Sequence, residues 1–107
     1  NKLIKKNERI KWRDTRLLII ERDRGCVICG KLQYSENLDK KYKRLNVHHL
    51  LPKEIKEYRY NLMNLICLCA KHHKYSIELS AHKNPIAFIK WMKINRPDQL
   101  NYVETAV

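Results

Sequence analysis

Apolar residues fall in short groups along the chain, each bounded by polar or charged positions. Asp14 or Thr15 can cap a helix running to about Arg24, with Leu17, Leu18 and Ile20 expected as its buried face and Gly25 as a left-handed stop. The segment Cys26-Val27-Ile28-Cys29-Gly30 then reads as a tight knuckle, because the glycine lets backbone amides turn toward the sulfurs. A polar, basic connection follows from Gln33 to Arg44. Leu45 to Leu50 has the look of a short strand or turn that Pro52 breaks, and Leu65 to Leu68 is a second apolar run of strand length. A helix is expected from about Ala70 to Leu79. Asn84 before Pro85 marks another helix start, a cap followed by proline at the first helical position, with Ile86, Phe88, Ile89, Trp91 and Met92 as its apolar face. Beyond Pro97 the pattern carries no readable signal.

With 107 residues the chain has the size of one domain, too short for an enzyme with a separate cofactor-binding half. One Phe and two Trp make a small core, so burial alone is a weak source of stability. The net charge of +12 is concentrated: residues 1 to 16 and residues 40 to 59 each carry seven bases against two acids. That footprint suits a polyanion, with nucleic acid the default partner, whereas two solvated charge runs are the plainer reading. Neither basic segment has a sustained amphipathic stripe suited to a membrane surface. The longest apolar run, Leu65 to Ala70, is far short of the roughly 20 residues of a membrane span, and no signal-peptide core follows the Lys-rich start. The first residue is Asn1 rather than Met, as in a trimmed chain or fragment. A cytoplasmic, reducing setting is expected, with the four cysteines as thiolates rather than two disulfides.

Eight of the nine Cys and His residues fall in three groups: Cys26 with Cys29, His48 with His49, and Cys67, Cys69, His72 and His73. Only His82 stands apart, beside Lys83, and reads as an exposed polar residue. Cys26/Cys29 and Cys69/His72 each enclose two residues, the spacing at which a short turn presents two ligands to one tetrahedral zinc. The alternatives are buried apolar thiols or a redox pair, but a thioredoxin-like motif needs a strand before it and a helix after it. Cys67, five residues from His72, is expected to face the core. The remaining imidazoles suggest a second cation centre. His48 and His49, adjacent on an extended segment, point to opposite sides, so that one can hold an ion and the other face a substrate. His72 and His73, about 100 degrees apart on a helix, can likewise serve the two centres separately.

The run His48-His49-Leu50-Leu51-Pro52, then Asn64-Leu65-Ile66-Cys67-Leu68-Cys69-Ala70-Lys71-His72-His73, preceded by Cys26-Val27-Ile28-Cys29, resembles the HNH endonuclease family over residues 26 to 73. The resemblance implies an α+β fold: a small ββα-metal core with flanking helices and a structural zinc site held by Cys26, Cys29, Cys69 and His72. A single nuclease domain would then span 1–107, with a basic segment and helix over 1–25, the zinc knuckle and ββα-metal motif over 26–80, and a C-terminal helix and tail over 81–107. It also implies that His48 and His73 hold a catalytic divalent ion, that His49 is the general base, and that Asn64 braces the metal loop and orients the base. Two departures from the family pattern stand out. His72 replaces the usual fourth thiolate, an exchange zinc accepts, and the segment Lys53 to Asn61 is charged and Tyr-rich where the family commonly has a glycine pair.

The chemistry of those residues is consistent with the same activity. A neutral imidazole such as His49 can take a proton from water near pH 7, and a divalent ion can offset charge on phosphate and the departing oxygen. A pair of imidazoles admits Mn²⁺, Ni²⁺ or Zn²⁺ as well as Mg²⁺. Lys53, Arg59, Lys41 and Arg44 are candidate DNA contacts, with Tyr58 and Tyr60 flanking Arg59. The expected function is therefore a metal-dependent DNA endonuclease, which by analogy with small free-standing family members acts within larger phage or mobile-element machinery. The alternative is a zinc-stabilised nucleic-acid-binding module without catalytic activity, or an interaction domain that docks on a larger nucleic-acid machine.

Overall fold

Leu45–His49 (β1) and Leu65–Cys69 (β2) pair as an antiparallel ribbon in the computed structural model, which describes residues 1–30 and 45–106. The register sets Val47 opposite Cys67, His48 opposite Ile66 and His49 opposite Leu65. Side chains alternate across such a ribbon. Leu45, Val47, Leu65 and Cys67 accordingly pack with Ile19 and Ile20 on one side, while Ile66 and Leu68 pack with Phe88, Met92, Leu100 and Val103 on the other. With both faces covered, β2 is buried along its whole length, which is why it reads as a continuous apolar run instead of an alternating one.

The first helix, Lys2–Asp23 (α1), starts a dozen residues before the expected cap. Residues 2 to 13 contain neither Gly nor Pro and are rich in Lys and Arg, both good helix formers, and Asn1 caps them by accepting from the Leu3 amide at 2.8 Å. Thr15, read as a possible cap, is buried inside the helix and donates its hydroxyl to the Lys11 carbonyl at 2.7 Å. At the other end Gly25 is at positive φ (107°), as expected of the stop, and Arg24 just before it is also left-handed (φ 58°, ψ 38°). Leu17 and Leu18 are exposed, Leu18 by 58%, and the buried positions are Thr15, Ile19 and Ile20. The anchoring of Asp23 selects that face. Its carboxylate, 1% exposed, accepts from the Cys67 amide (2.9 Å), Arg96 (3.0 Å) and Arg22 (2.8 Å), tying the end of α1 to β2 and to the C-terminal helices.

The chain past β2 makes only one wide, π-type turn, Lys71–Tyr75, where a helix to Leu79 was expected. Side-chain bonds to the backbone compete with helix continuation here. Ser76 accepts from the Leu79 amide, Ser80 from the Lys83 amide, and Asn84 donates to the Ile77 carbonyl. The chain then returns beside the turn, with the Ala81 and His82 amides bonded to the His72 and His73 carbonyls, each at 2.9 Å. Pro85–Asn95 (α2) begins as predicted, with Asn84 accepting from the Ala87 amide at 3.1 Å. Only the Phe88/Met92 stripe is buried; Ile86 (71% exposed) and Ile89 face solvent, because one i, i+4 ridge suffices against a ribbon this narrow. A second C-terminal helix, Pro97–Thr105 (α3), was not anticipated, although Pro97 at its start and Leu100/Val103 at i, i+3 spacing are the local signals for it.

The whole is an α+β module in which an antiparallel ribbon is followed by helices and a Cys/His cluster, a generic ββα-metal arrangement. Among the described residues no helix is long and apolar enough to cross a membrane. Lys41, Arg44 and the rest of the connection from Gln33 lie outside the described residues.

Candidate metal centres

Cys26 and Cys29 follow α1 on a knuckle closed by the Gly30 amide bonding the Cys26 carbonyl at 2.7 Å, with Gly30 at φ 69°, a conformation that favours glycine. The Val27 amide bonds the Cys67 carbonyl at 3.1 Å, fastening the knuckle to β2. Cys69 ends β2 and His72 sits on the wide turn just beyond it. All four ligand atoms lie within 4.8 Å of one another. Separations are 3.7 Å for Cys29 Sγ to Cys69 Sγ, 3.8 Å for Cys26 Sγ to His72 Nδ1 and 3.2 Å for Cys69 Sγ to His72 Nδ1. A tetrahedron with ordinary zinc bond lengths has edges of about 3.8 Å between sulfurs and about 3.6 Å between sulfur and nitrogen, so the donor set fits that ion in both chemistry and size. Burial pushes the Cys26 thiol up to about 11, which leaves a cation as the natural means of holding its thiolate at neutral pH. Cys67 is outside this group: it packs with Ile19, Leu45 and Leu65, and burial raises its thiol to about 12.

A second group forms where β1, the wide turn and the returning strand of chain meet. His48 Nδ1 and His82 Nε2 each lie 3.1 Å from His73 Nε2, and the three rings are mutually edge-on. Nitrogens bound to one ion at about 2.0–2.1 Å stand about 3 Å apart, so these three fit a shared cation. Burial, reinforced at His48 by the neighbouring His73 and His82 rings and at His73 by His82 and Lys74, lowers His48 to about 3 and His73 to about 4, keeping both lone pairs unprotonated at neutral pH. The other ring nitrogen of His73, Nδ1, is buried without a hydrogen-bond partner, so Nε2 is the atom that faces the group. His82, read from the sequence as a solitary surface residue, is thus the third member of this group. Nothing in a separation of nine residues from His73 signals it. The chain reversal after Ser76 brings it there.

His49 points the opposite way from His48. Its ring stacks on Trp12 (centroids 5.0 Å apart, planes at 17°), and Nε2 lies 3.1 Å from the Arg59 carbonyl. A carbonyl can only accept, so Nε2 carries the proton and Nδ1 keeps the lone pair. Burial lowers the pKa of His49 while the Arg59 carbonyl partly offsets it, and the nearby Lys53 charge adds to the lowering. Asn64, fully buried, accepts from the Leu51 amide at 2.6 Å and donates to the Leu51 and Tyr58 carbonyls at 3.1 Å. It closes the long β1–β2 loop that carries Lys53 and Arg59. Gln99 of α3 and Arg22 of α1 brace the far end of that loop through the Met63, Leu62 and Leu65 carbonyls.

A cleft of about 500 Å³ is lined by His48, His49, His73 and His82 together with Lys53 and Lys74 and the carboxylate of Glu54. It unites side chains from opposite faces of β1 because both rings lie at the end of the strand, where the ribbon opens into the loop. Trp12, on whose ring His49 rests, had no counterpart in the sequence reading, since it lies 37 positions away with no motif linking them. Compared with known protein families, curated proteins and solved structures, the chain finds no match. Its geometry supports a compact ββα-like module with a clustered Cys/His group of the metal-binding-finger kind.

Proposed function

We propose that this chain is a metal-dependent endonuclease of the HNH type that hydrolyses phosphodiester bonds in DNA. The observation that carries the reading is the single cleft shared by one imidazole with a free lone pair, His49, and three imidazoles able to hold a cation, His48, His73 and His82. Phosphodiester hydrolysis needs a proton acceptor for water and relief of charge on the phosphate and the departing 3′ oxygen. His49 Nδ1 is the acceptor: its tautomer is set by the Arg59 carbonyl, and burial keeps it neutral. His48, His73 and His82 would hold a divalent ion, which when bound would supply Lewis-acid stabilisation of the phosphate and leaving-group oxygens. A three-nitrogen donor set suits Mn²⁺, Ni²⁺ or Zn²⁺ better than Mg²⁺. Lys53 and Lys74 on the cleft wall hold the phosphate, and Asn64 keeps the Arg59 carbonyl where His49 needs it. Cys26, Cys29, Cys69 and His72 would hold a structural zinc, which would fasten the end of α1 to β2.

Supercoiled plasmid incubated with the protein and Mn²⁺, Ni²⁺, Zn²⁺ or Mg²⁺ tests the proposal. The parent chain is expected to yield nicked or linear product, and His49→Ala to bind DNA without cutting it. Equal cutting by both would remove His49 from the chemistry. Binding by the parent without cutting under any of the four ions would leave a zinc-stabilised nucleic-acid-binding module.

A further inference from the structure

Trp12 stands where two concavities meet. On one side a groove of about 420 Å³ is lined by Arg9, Arg13, Arg16 and Asn46, with Arg13 paired to Asp14 at 3.2 Å and Arg16 donating to the Leu45 carbonyl at 3.0 Å. On the other a pocket of about 520 Å³ is walled by Trp12, Tyr60 and His49, with Lys53, Glu54 and Arg59 around it. His49, Lys53 and Glu54 line both this pocket and the cleft of the three imidazoles, so the two concavities adjoin at those side chains. Arg9, Arg13 and Arg16 follow one another at helical spacing, and Lys2 and Lys6 prolong the same stripe along the exposed start of α1. Such a stripe can lie along a phosphate backbone and carries no preference for bases.

The pocket has a different character. The Trp12 and Tyr60 rings are 6.4 Å apart and tilted by 57°, and Lys11 Nζ sits 4.4 Å over the Tyr60 ring. Two aromatic walls meeting at an angle suit a flat π-system, and cations beside them suit its phosphate. Glu54 makes the same pocket unfavourable for a bare anion, while its carboxylate can accept from the amino group of a base. We propose that this pocket receives an unstacked nucleobase of the DNA strand whose phosphates lie along Arg9, Arg13 and Arg16. This inference rests on the nuclease reading above and specifies its substrate as DNA with a base out of the helical stack.

Trp91→Phe leaves Trp12 as the sole tryptophan and is the background for the test. In that protein, a short single-stranded deoxycytidine oligonucleotide is expected to quench the tryptophan fluorescence, a duplex of equal length to quench it much less, and inorganic polyphosphate to bind without quenching. Trp12→Ala, in the otherwise unaltered chain, should weaken single-strand binding measured by anisotropy by roughly five- to hundredfold, with Trp12→Phe restoring most of it and polyphosphate binding unchanged. Circular dichroism checks that each variant is folded. Binding of the oligonucleotide without quenching, equal quenching by duplex, or equal loss of polyphosphate binding in Trp12→Ala each overturns the base pocket while leaving the nuclease reading intact. Quenching as expected in a protein that cuts no plasmid overturns the nuclease reading and keeps the pocket. Absence of any DNA binding overturns both.

Discussion

The His49 ring donates Nε2–H to the Arg59 carbonyl and lies flat on Trp12, so its rotation is blocked both in the plane and out of it. His48, one residue earlier, is turned to His73 and meets the edge of Phe88. Strand alternation accounts for this division, and it was legible from the adjacency of the two residues. His82 was not, because its role depends on a backbone reversal. Replacing it should therefore reveal a ligand. His82→Ala is expected to weaken Mn²⁺ or Ni²⁺ binding, measured by calorimetry, by on the order of tenfold or more, with zinc retention at the Cys/His group unaffected; an unchanged affinity would exclude His82 from the cation group. Asn64 poses a stability question instead. Its buried side chain satisfies three partly buried backbone groups, and leaving a buried polar group unpaired costs about 1–3 kcal/mol. Asn64→Ala should lower unfolding free energy in urea by at least that amount, and a neutral outcome would mean the loop is held by its other contacts.

Among the elements, the knuckle and the wide turn do the most to assemble the molecule, since each delivers ligands that are useless alone. The knuckle supplies Cys26 and Cys29, and the turn splits His72 and His73 between the two groups. Neither has an extended apolar face. Cohesion there is expected from a cation, whose binding in isolated zinc modules contributes on the order of 10 kcal/mol. The protein should carry one tightly held zinc per chain by elemental analysis, and Cys29→Ala should lose the zinc and the cooperative thermal transition together. A sharp transition persisting in a zinc-free Cys29→Ala protein would show that the core suffices. The α1 helix illustrates how an element can be misread. Its first half has no buried residue and thus no hydrophobic periodicity to find, yet the Asn1 cap and a run of helix formers are enough to propagate it from the anchored half.

The molecule as a whole responds to pH and to salt through separate groups of residues. His48 and His73 bind protons only near pH 3 and 4 when folded, against an ordinary value of 6.5. As pH falls below 6.5 the unfolded chain takes up protons that the folded one refuses, so unfolding becomes easier; above 6.5 neither state is protonated there and the effect is absent. Cation binding acts in the same direction, because it needs the same unprotonated nitrogens. Urea midpoints should hold steady from pH 8 to 7 and fall progressively toward about pH 4; a midpoint that rises on acidification contradicts the burial of neutral imidazoles. Salt dependence reports the basic face of α1. If DNA lies along that face as proposed, neutralising Arg9 and Arg13 together should reduce the slope of log affinity against log salt by roughly 1.5, and an unaltered slope would rule that face out.

From the amino-acid order alone came the ligand spacings of Cys26/Cys29 and Cys69/His72, the opposed directions of His48 and His49, the two strand-length runs, the Asn84-Pro85 helix start and the concentration of charge. These are short-range matters, settled by geometry over one to four residues and by composition. The meeting of His82 with His73, the Trp12 ring beneath His49, the Asp23 anchor shared by α1, β2 and Arg96, and the joining of both imidazole sets in one cleft belong to the tertiary structure. Each unites residues distant in the chain by packing and chain reversal, and the energy that selects such pairings is spread over the whole core, where no local pattern records it.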